Sequence, residues 1–155
     1  MAIFTPLRCD CVGSFLRPEK LKKARANFEA GTITADQLKA VEDECITDLI
    51  AKEKAAGLHA ITDGEFRRAT WHLDFMWGFN GVGHCKTKHG LPFHGEAAMI
   101  DDTYLTGKVS VGHHPFVDHF KFVKQFEDEN HVAKQTIPAP AQFLEQMIMP
   151  FALEN

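Results

Sequence analysis

Four times along this chain a short apolar run leads through a turn into a helical pattern, and that alternation limits the fold more than any other feature. Residues 7–12 alternate loosely before Gly13, and Leu58-His59-Ala60-Ile61-Thr62 runs into Asp63-Gly64-Glu65. Tyr104–Val111 and His131–Ile137 supply the other two strands. Strands separated by helices need crossover connections, so they lie parallel with helices packed over them. Four such units make an α/β protein, either a small open sheet or half of an eight-stranded barrel, and the pattern alone does not separate the two.

The helices carry their own start and stop signals. Pro18 opens one over residues 18–29, where its missing N–H costs nothing, and Gly31 ends it. Thr34-Ala35-Asp36-Gln37 has the form of a capping box. Leu38, Val41, Cys45 and Leu49 follow at three- and four-residue spacing as one apolar face, and Gly57 closes that helix in a left-handed cap. A helix is predicted near residues 69–79, with Trp71 and Trp77 on different faces and core packing expected for both. Residues 80–100, rich in glycine, read as a long excursion or hairpin. A helix over 115–129 turns Phe116, Phe120, Val123 and Phe126 inward, and Pro140–Met149 begins another.

Composition narrows the function classes. Seventeen Lys and Arg against 21 Asp and Glu leave a slight acidic excess with no basic run, so a nucleic-acid track is not expected. No apolar stretch approaches the ~20 residues that span a bilayer, and no signal peptide opens the chain, so no membrane partner and a cytoplasmic location are expected. Cys9, Cys11, Cys45 and Cys85 lack the density of a disulfide scaffold and read as reduced thiols.

Two glycine turns carry the chemistry. In Val12-Gly13-Ser14 the glycine lets the backbone approach a ligand, the following N–H groups suit a carboxylate or phosphate, and Ser14 adds a hydroxyl; an ordinary tight turn with Ser14 as a cap explains it too. Asp63-Gly64-Glu65 sets two carboxylates directly after an apolar strand, where burial penalises them unless they are partnered. They suit a substrate ammonium or a base; alternatively Arg67 and Arg68 pair with them at a helix start. Arg17, Arg67 and Arg68 also match an acidic substrate, and a surface or structural ion pair accounts for each of them as well. The histidines at 84, 89, 94, 113, 114 and 119, and Cys9-x-Cys11, fit no standard zinc spacing. Thr136-Ile137-Pro138-Ala139-Pro140 ends a strand without ionisable groups and reads as a stiff βα turn.

Taken together, these residues resemble the N-terminal half of the short cobalamin-independent methionine-synthase-like proteins. The resemblance runs through Asp10-Cys11-Val12-Gly13-Ser14-Phe15-Leu16-Arg17-Pro18, Thr62-Asp63-Gly64-Glu65-Phe66-Arg67-Arg68, the stretch 71–80, Gly107-Lys108-Val109-Ser110 and Ile137-Pro138-Ala139-Pro140. It implies that residues 1–155 supply about the first four β/α units of a (β/α)8 TIM-type barrel, with no second domain. It further implies methyl transfer from a 5-methyltetrahydrofolate-type donor to homocysteine thiolate, giving methionine without cobalamin. In that family zinc binds the homocysteine sulfur; a free thiol, with a pKa of about 8.5, is mostly protonated at neutral pH, and the metal holds it as thiolate.

The resemblance assigns the homocysteine carboxylate to Val12, Gly13 and Ser14, the ammonium to Glu65, and supporting contacts to Asp63 and Arg67. It places the zinc ligands in the second half of the barrel, beyond Asn155, so no metal ligand is expected in this chain. Cys11 stands where relatives carry histidine or an aliphatic residue and is not expected to ligate. A half barrel exposes strand edges and an apolar inner face, so the missing half or a second copy is an expected partner. Two other readings stay open: a porphyrinogen-decarboxylase-like lyase of related barrel shape, and an inactive truncated or self-associating half barrel.

Overall fold

The computed structural model describes residues 11–86, 91–93, 96–98 and 101–148. In chain order its elements are α1 (Glu19–Glu29), α2 (Ala35–Ala55), β1 (Ala60–Ile61), α3 (Leu73–Met76), β2 (Asn80–Lys86), β3 (Leu91–Phe93), β4 (Glu96–Ala98), β5 (Asp101–Ser110), α4 (Pro115–Lys124), β6 (Val132–Ala133) and α5 (Pro140–Ile148). The chain forms two compact units, one of residues up to Arg68 with Asp118–Thr136, the other of Ala69–Val117 with the residues from Ile137 onward.

The first unit follows the local signals closely. Pro18 stands at the N-cap of α1, and its carbonyl accepts the N–H groups of Leu21 and Lys22 at 3.0 and 3.1 Å. Thr34 and Gln37 form the reciprocal box at the start of α2: Gln37 N–H donates to Thr34 Oγ1 (3.3 Å) and Thr34 N–H to Gln37 Oε1 (2.8 Å). A cap of this kind is worth about 1 kcal/mol. After α2, Gly57 takes φ +80° and the Leu58 N–H returns to the Glu53 carbonyl at 3.1 Å, satisfying carbonyls the helix end would orphan.

The core of this unit joins Cys45, Ile46, Leu49 and Ile50 of α2 to Leu21 of α1, Ile61 of β1, Phe66 and Val123 of α4. Each fully buried aliphatic side chain contributes about 1.5–3 kcal/mol relative to exposure. The same face of α2 also buries Glu42 and Glu53, two carboxylates whose partners include Arg67 and Thr62 in the residues that follow β1. Strands β1 and β6 pair in parallel, Ala60 opposite Val132 and Ile61 opposite Ala133. This is the parallel βαβ relation expected of the pattern, on strands shorter than 58–62 and 131–137.

The second unit departs from the expected alternation. Strands β2 and β5 are antiparallel, with Val82 opposite Leu105 and Cys85 opposite Asp102. The segment expected as the third parallel strand is therefore half of a long hairpin, and the count of four β/α units is corrected accordingly. Register breaks between Asn80, opposite Ser110, and Val82. There Gly81 has φ +80°, and a Cβ would meet the Lys108 carbonyl oxygen at 2.5 Å, so only glycine fits the bulge. The predicted helix at 69–79 shrinks to one turn, α3. Asp74 accepts the N–H groups of Ala69 (3.1 Å) and Thr70 (2.8 Å), and Thr70 Oγ1 caps the Leu73 N–H at 3.2 Å, a competing side-chain network that keeps the preceding residues out of the helix. Trp71 lies off the helix and half exposed, while the Trp77 ring stacks on His84 at 3.8 Å.

In the same unit the buried His114 sits among Phe75, Phe79 and Phe116, with ring centroids 4.8–5.3 Å apart. Its Nε2 donates to the Phe75 carbonyl (2.9 Å) and its Nδ1 accepts the Phe116 N–H (3.2 Å), a pattern that only the neutral Nε2-H ring satisfies. The helix expected over 115–129 ends at Lys124; of the residues expected inward on it, Phe116 and Val123 are buried, while Phe120 and Phe126, the latter past the helix end, are partly so.

The described strands form three two-stranded sheets, β1-β6, β2-β5 and β3-β4, and no closed barrel. The first expected strand, 7–12, lies mostly outside the described residues; Cys11 and Val12 within it are not strand.

Candidate functional site

Residues 62–68 leave β1 and make a tight buried loop whose polar groups are held from several directions. Thr62 N–H and Thr62 Oγ1 both donate to the Glu53 carboxylate at 3.0 Å, and Thr62 Oγ1 accepts the Gly64 N–H at 3.1 Å. Asp63 folds back, its Oδ1 accepting the Glu65 N–H at 2.9 Å. Gly64 has φ +60° and Glu65 φ +58°, the latter the one non-glycine positive φ among the described residues. A left-handed residue of this kind costs on the order of 1–3 kcal/mol and persists where its surroundings over-determine it.

Those surroundings are visible carbonyl by carbonyl. The Phe15 N–H donates to Gly64 O at 3.1 Å. Arg17 Nη2 donates to Glu65 O (3.2 Å) and Arg68 O (2.8 Å), and Arg25 Nη2 donates to Phe66 O. The first glycine turn is thereby fastened to the second across some fifty residues of sequence. Gly64 itself admits no side chain, since a Cβ there would run into Leu49.

The expected site residues fall into three environments. Asp63 and Glu65 are 2% and 6% exposed. Asp63 Oδ2 faces Gln135 Nε2 at 3.5 Å, and Glu65 Oε1 accepts the Thr136 hydroxyl at 2.9 Å and pairs with Arg68 Nη1 at 3.3 Å. The other Glu65 oxygen, Oε2, takes no hydrogen bond from a described residue. Val12 and Ser14 are exposed and Gly13, at φ +96°, has open space around its Cα. Lys134 Nζ donates to the Cys11 carbonyl at 2.9 Å, steadying the chain just before that turn.

Arg67 is the exception. Its guanidinium, 5% exposed, pairs with Glu42 at 3.1 Å and with Asp43, and lies over the Phe122 ring at 5.0 Å. Two carboxylates of α2 hold the fork of this residue, which the family resemblance gives as a supporting substrate contact. Arg68, not Arg67, pairs with a carboxylate of the loop.

Burial raises the pKa of Glu42 above the ordinary carboxylate range, against the opposing pull of Arg67 and Arg25. Burial raises Glu53 as well, against the Thr62 hydrogen bonds. His119 of α4 is lowered to about 4, first by burial and then by the Arg67 charge. It is therefore a neutral ring at physiological pH beside a crowded set of guanidinium groups.

Glu42, Glu53, Arg25 and Thr136 were not expected in the site. The two glutamates had a readable signal, since Glu42, Ile46, Leu49 and Glu53 share one helical face and a carboxylate on an apolar stripe calls for a partner. Among the described residues no three His, Cys, Asp or Glu side chains converge to hold a metal.

No family model matches the chain. It is 38% identical over 135 residues to the uncharacterized protein YxjG of Bacillus subtilis, covering 87% of this chain and 35% of that protein. It is 26% identical to a methionine synthase of Sulfolobus acidocaldarius, covering 88% of this chain and 39% of that enzyme. A solved structure of a candidate vitamin B12-independent methionine synthase from Listeria monocytogenes superposes with a TM-score of 0.75 at 39% identity, covering 92% of this chain and 39% of that one. A B12-independent methionine synthase from Shewanella, solved in complex with selenomethionine, shares the fold at a TM-score of 0.58 and 18% identity, over 75% of this chain and 33% of that one.

By sequence and fold the chain is similar to part of B12-independent methionine-synthase-like proteins. It spans little more than a third of the length of the curated relatives it matches. No helix among the described residues is long and apolar enough to cross a membrane.

Proposed function

We propose that the chain provides the amino-acid-binding turns of a methionine-synthase-type methyltransferase, whose complete form moves a methyl group from a 5-methyltetrahydrofolate-type donor to homocysteine. The observation that carries this reading is the hydrogen bond from the Phe15 N–H to the Gly64 carbonyl, which sets Val12-Gly13-Ser14 beside Asp63-Gly64-Glu65. An α-amino acid carries its carboxylate and its ammonium on one carbon, so a protein that binds it needs anion-binding and cation-binding groups side by side. The first turn offers backbone N–H groups and the Ser14 hydroxyl; the second offers Glu65 Oε2, with Asp63 close by in the same loop. Arg67 enters this reading as a fastener of the loop through Glu42 and Asp43.

The division of labour has a physical logic. A fixed, buried carboxylate binds an ammonium without paying to reorganise, and orientation of the amino acid directs its sulfur to one place. Zinc and the methyl donor belong to the complete protein in this proposal, and no step is assigned to them through these residues.

Calorimetric titration of the 155-residue chain with L-homocysteine and L-methionine tests the reading. Binding is expected for both, weakened about tenfold or more in Glu65→Gln, the size of a lost charge-assisted hydrogen bond. A chain that binds neither amino acid, or a Glu65→Gln variant with unchanged affinity, removes the proposal.

A further inference from the structure

Glu65 combines three features that together need an explanation: it is buried, it is a carboxylate, and its backbone is left-handed. The side chain that meets it from the most distant part of the sequence is Thr136, 71 residues away and just past β6. Thr136 Oγ1 lies 2.9 Å from Glu65 Oε1 and 3.2 Å from Arg68 Nη2, and the Thr136 carbonyl takes a second hydrogen bond from Arg68 Nη2 at 2.6 Å.

A threonine hydroxyl has one proton to give and lone pairs to receive. Arg68 has only donors, so the Thr136 oxygen must accept from it, and the single hydroxyl proton is left for Glu65. The direction of the chain is therefore fixed: Arg68 to Thr136 to Glu65 Oε1. Both the Thr136 hydroxyl and Arg68 Nη1 end on the same carboxylate oxygen. One oxygen of Glu65 is saturated by the protein, and Oε2 is the one left for another donor.

We infer that Thr136 is a positioning residue for amino-acid recognition: by holding Oε1 it fixes the Glu65 carboxylate so that Oε2 meets the substrate ammonium. The inference rests on the reading of Glu65 as the ammonium ligand and adds the group that aims it. Thr136 does not touch the substrate. It confers selectivity for ligands that carry the amine, because a carboxylate free to rotate would lose contact with the ammonium while leaving the carboxylate-binding turn untouched. A serine at this position keeps the polarity of the chain; a valine keeps the shape and loses the proton.

The test is titration of the full 155-residue chain and its variants with two probes, L-methionine and its desamino analogue, which keeps the thioether and carboxylate but has no amine. Thr136→Val is expected to weaken L-methionine about tenfold and leave the desamino analogue unchanged, while Thr136→Ser stays within about threefold of the parent. In a Glu65→Gln background Thr136→Val is expected to cost nothing further, since the two act as one unit. Thr136→Ala takes the place of the valine variant should a methyl group in the place of the hydroxyl disturb the folding.

Unchanged affinity for L-methionine in Thr136→Val, equal loss of both probes, or additive losses in the double variant would each overturn the inference while leaving Glu65 in its role. A parent chain that binds neither L-methionine nor L-homocysteine overturns the ammonium reading, and this inference with it.

Discussion

The two glycine turns of the first unit look alike in sequence and are built in opposite ways. Residues 62–68 are buried, with Asp63, Glu65 and Arg68 at 2%, 6% and 1% exposure, and hydrogen bonds from Phe15, Arg17 and Arg25 hold the loop carbonyls. Residues 12–16 expose Val12 and Leu16 at 83% and 91%, and Gly13 has open space around it. The difference follows from what each turn displays. A carboxylate taken out of water must be held by partners or it costs several kcal/mol, whereas backbone N–H groups facing solvent are satisfied by water until a ligand arrives. The rigid side of the site is the one that carries charge.

The sharpest way to break this contrast is to place the same methyl group in both turns. Gly64→Ala is expected to destabilise the chain by about 3 kcal/mol, from the left-handed backbone and the collision with Leu49; chemical denaturation reads it directly. Equal losses at Gly64 and Gly13 would mean that the two turns are equally constrained.

A second test uses pH. His119 has a folded pKa of about 4 against an ordinary value near 6.5, so the unfolded chain takes up its proton first as the solution is acidified. Its stabilising contribution is present above about pH 6.5 and is lost as pH falls toward 4. His119→Gln should flatten the fall in denaturation midpoint over that window. Glu42 and Glu53, both raised by burial, act in the opposite sense: they favour the fold while protonated and cost stability as pH rises through their folded pKa values. The difference between parent and His119→Gln isolates the histidine from them.

The smallest effects on stability are expected in the exposed turn. Gly13→Ala should cost about 1 kcal/mol, from backbone strain alone, and Ser14→Ala less than about 0.5 kcal/mol. Under the proposed function both nevertheless weaken amino-acid binding, measurable by the same titration. A Ser14→Ala chain that loses stability but keeps full affinity would turn Ser14 into an ordinary cap.

Much of the first unit was legible from residue types a few positions apart. The capping box at Thr34 and Gln37, the left-handed Gly57 and the apolar face through Cys45 and Leu49 are local physics, and the folded chain shows them where the spacing puts them. The second unit was read less well. Tyr104–Val111 is a strand, but whether it pairs in parallel or as a hairpin depends on a partner twenty residues away, and its own pattern is the same in either case. The helix near 69–79 failed because Thr70 and Asp74 spend their side chains on the backbone.

The chemistry of the site divides along the same line. Residue identity placed Asp63, Gly64 and Glu65 at the exit of a strand, and the family resemblance joined them to a second glycine turn. Which arginine would serve which carboxylate was open in the sequence, and folding settled it: Arg67 goes to Glu42 and Asp43, Arg68 to Glu65. Thr136 is readable in the sequence only as the start of a stiff βα turn, because a lone threonine after a strand has no pattern to mark its hydroxyl. Caps and glycine conformations are determined by neighbours along the chain, so they can be read there. The partner of a buried charge is chosen by which side chains the packed core brings within 3 Å, and only the tertiary structure brings Arg17, Glu53 and Thr136 to one loop.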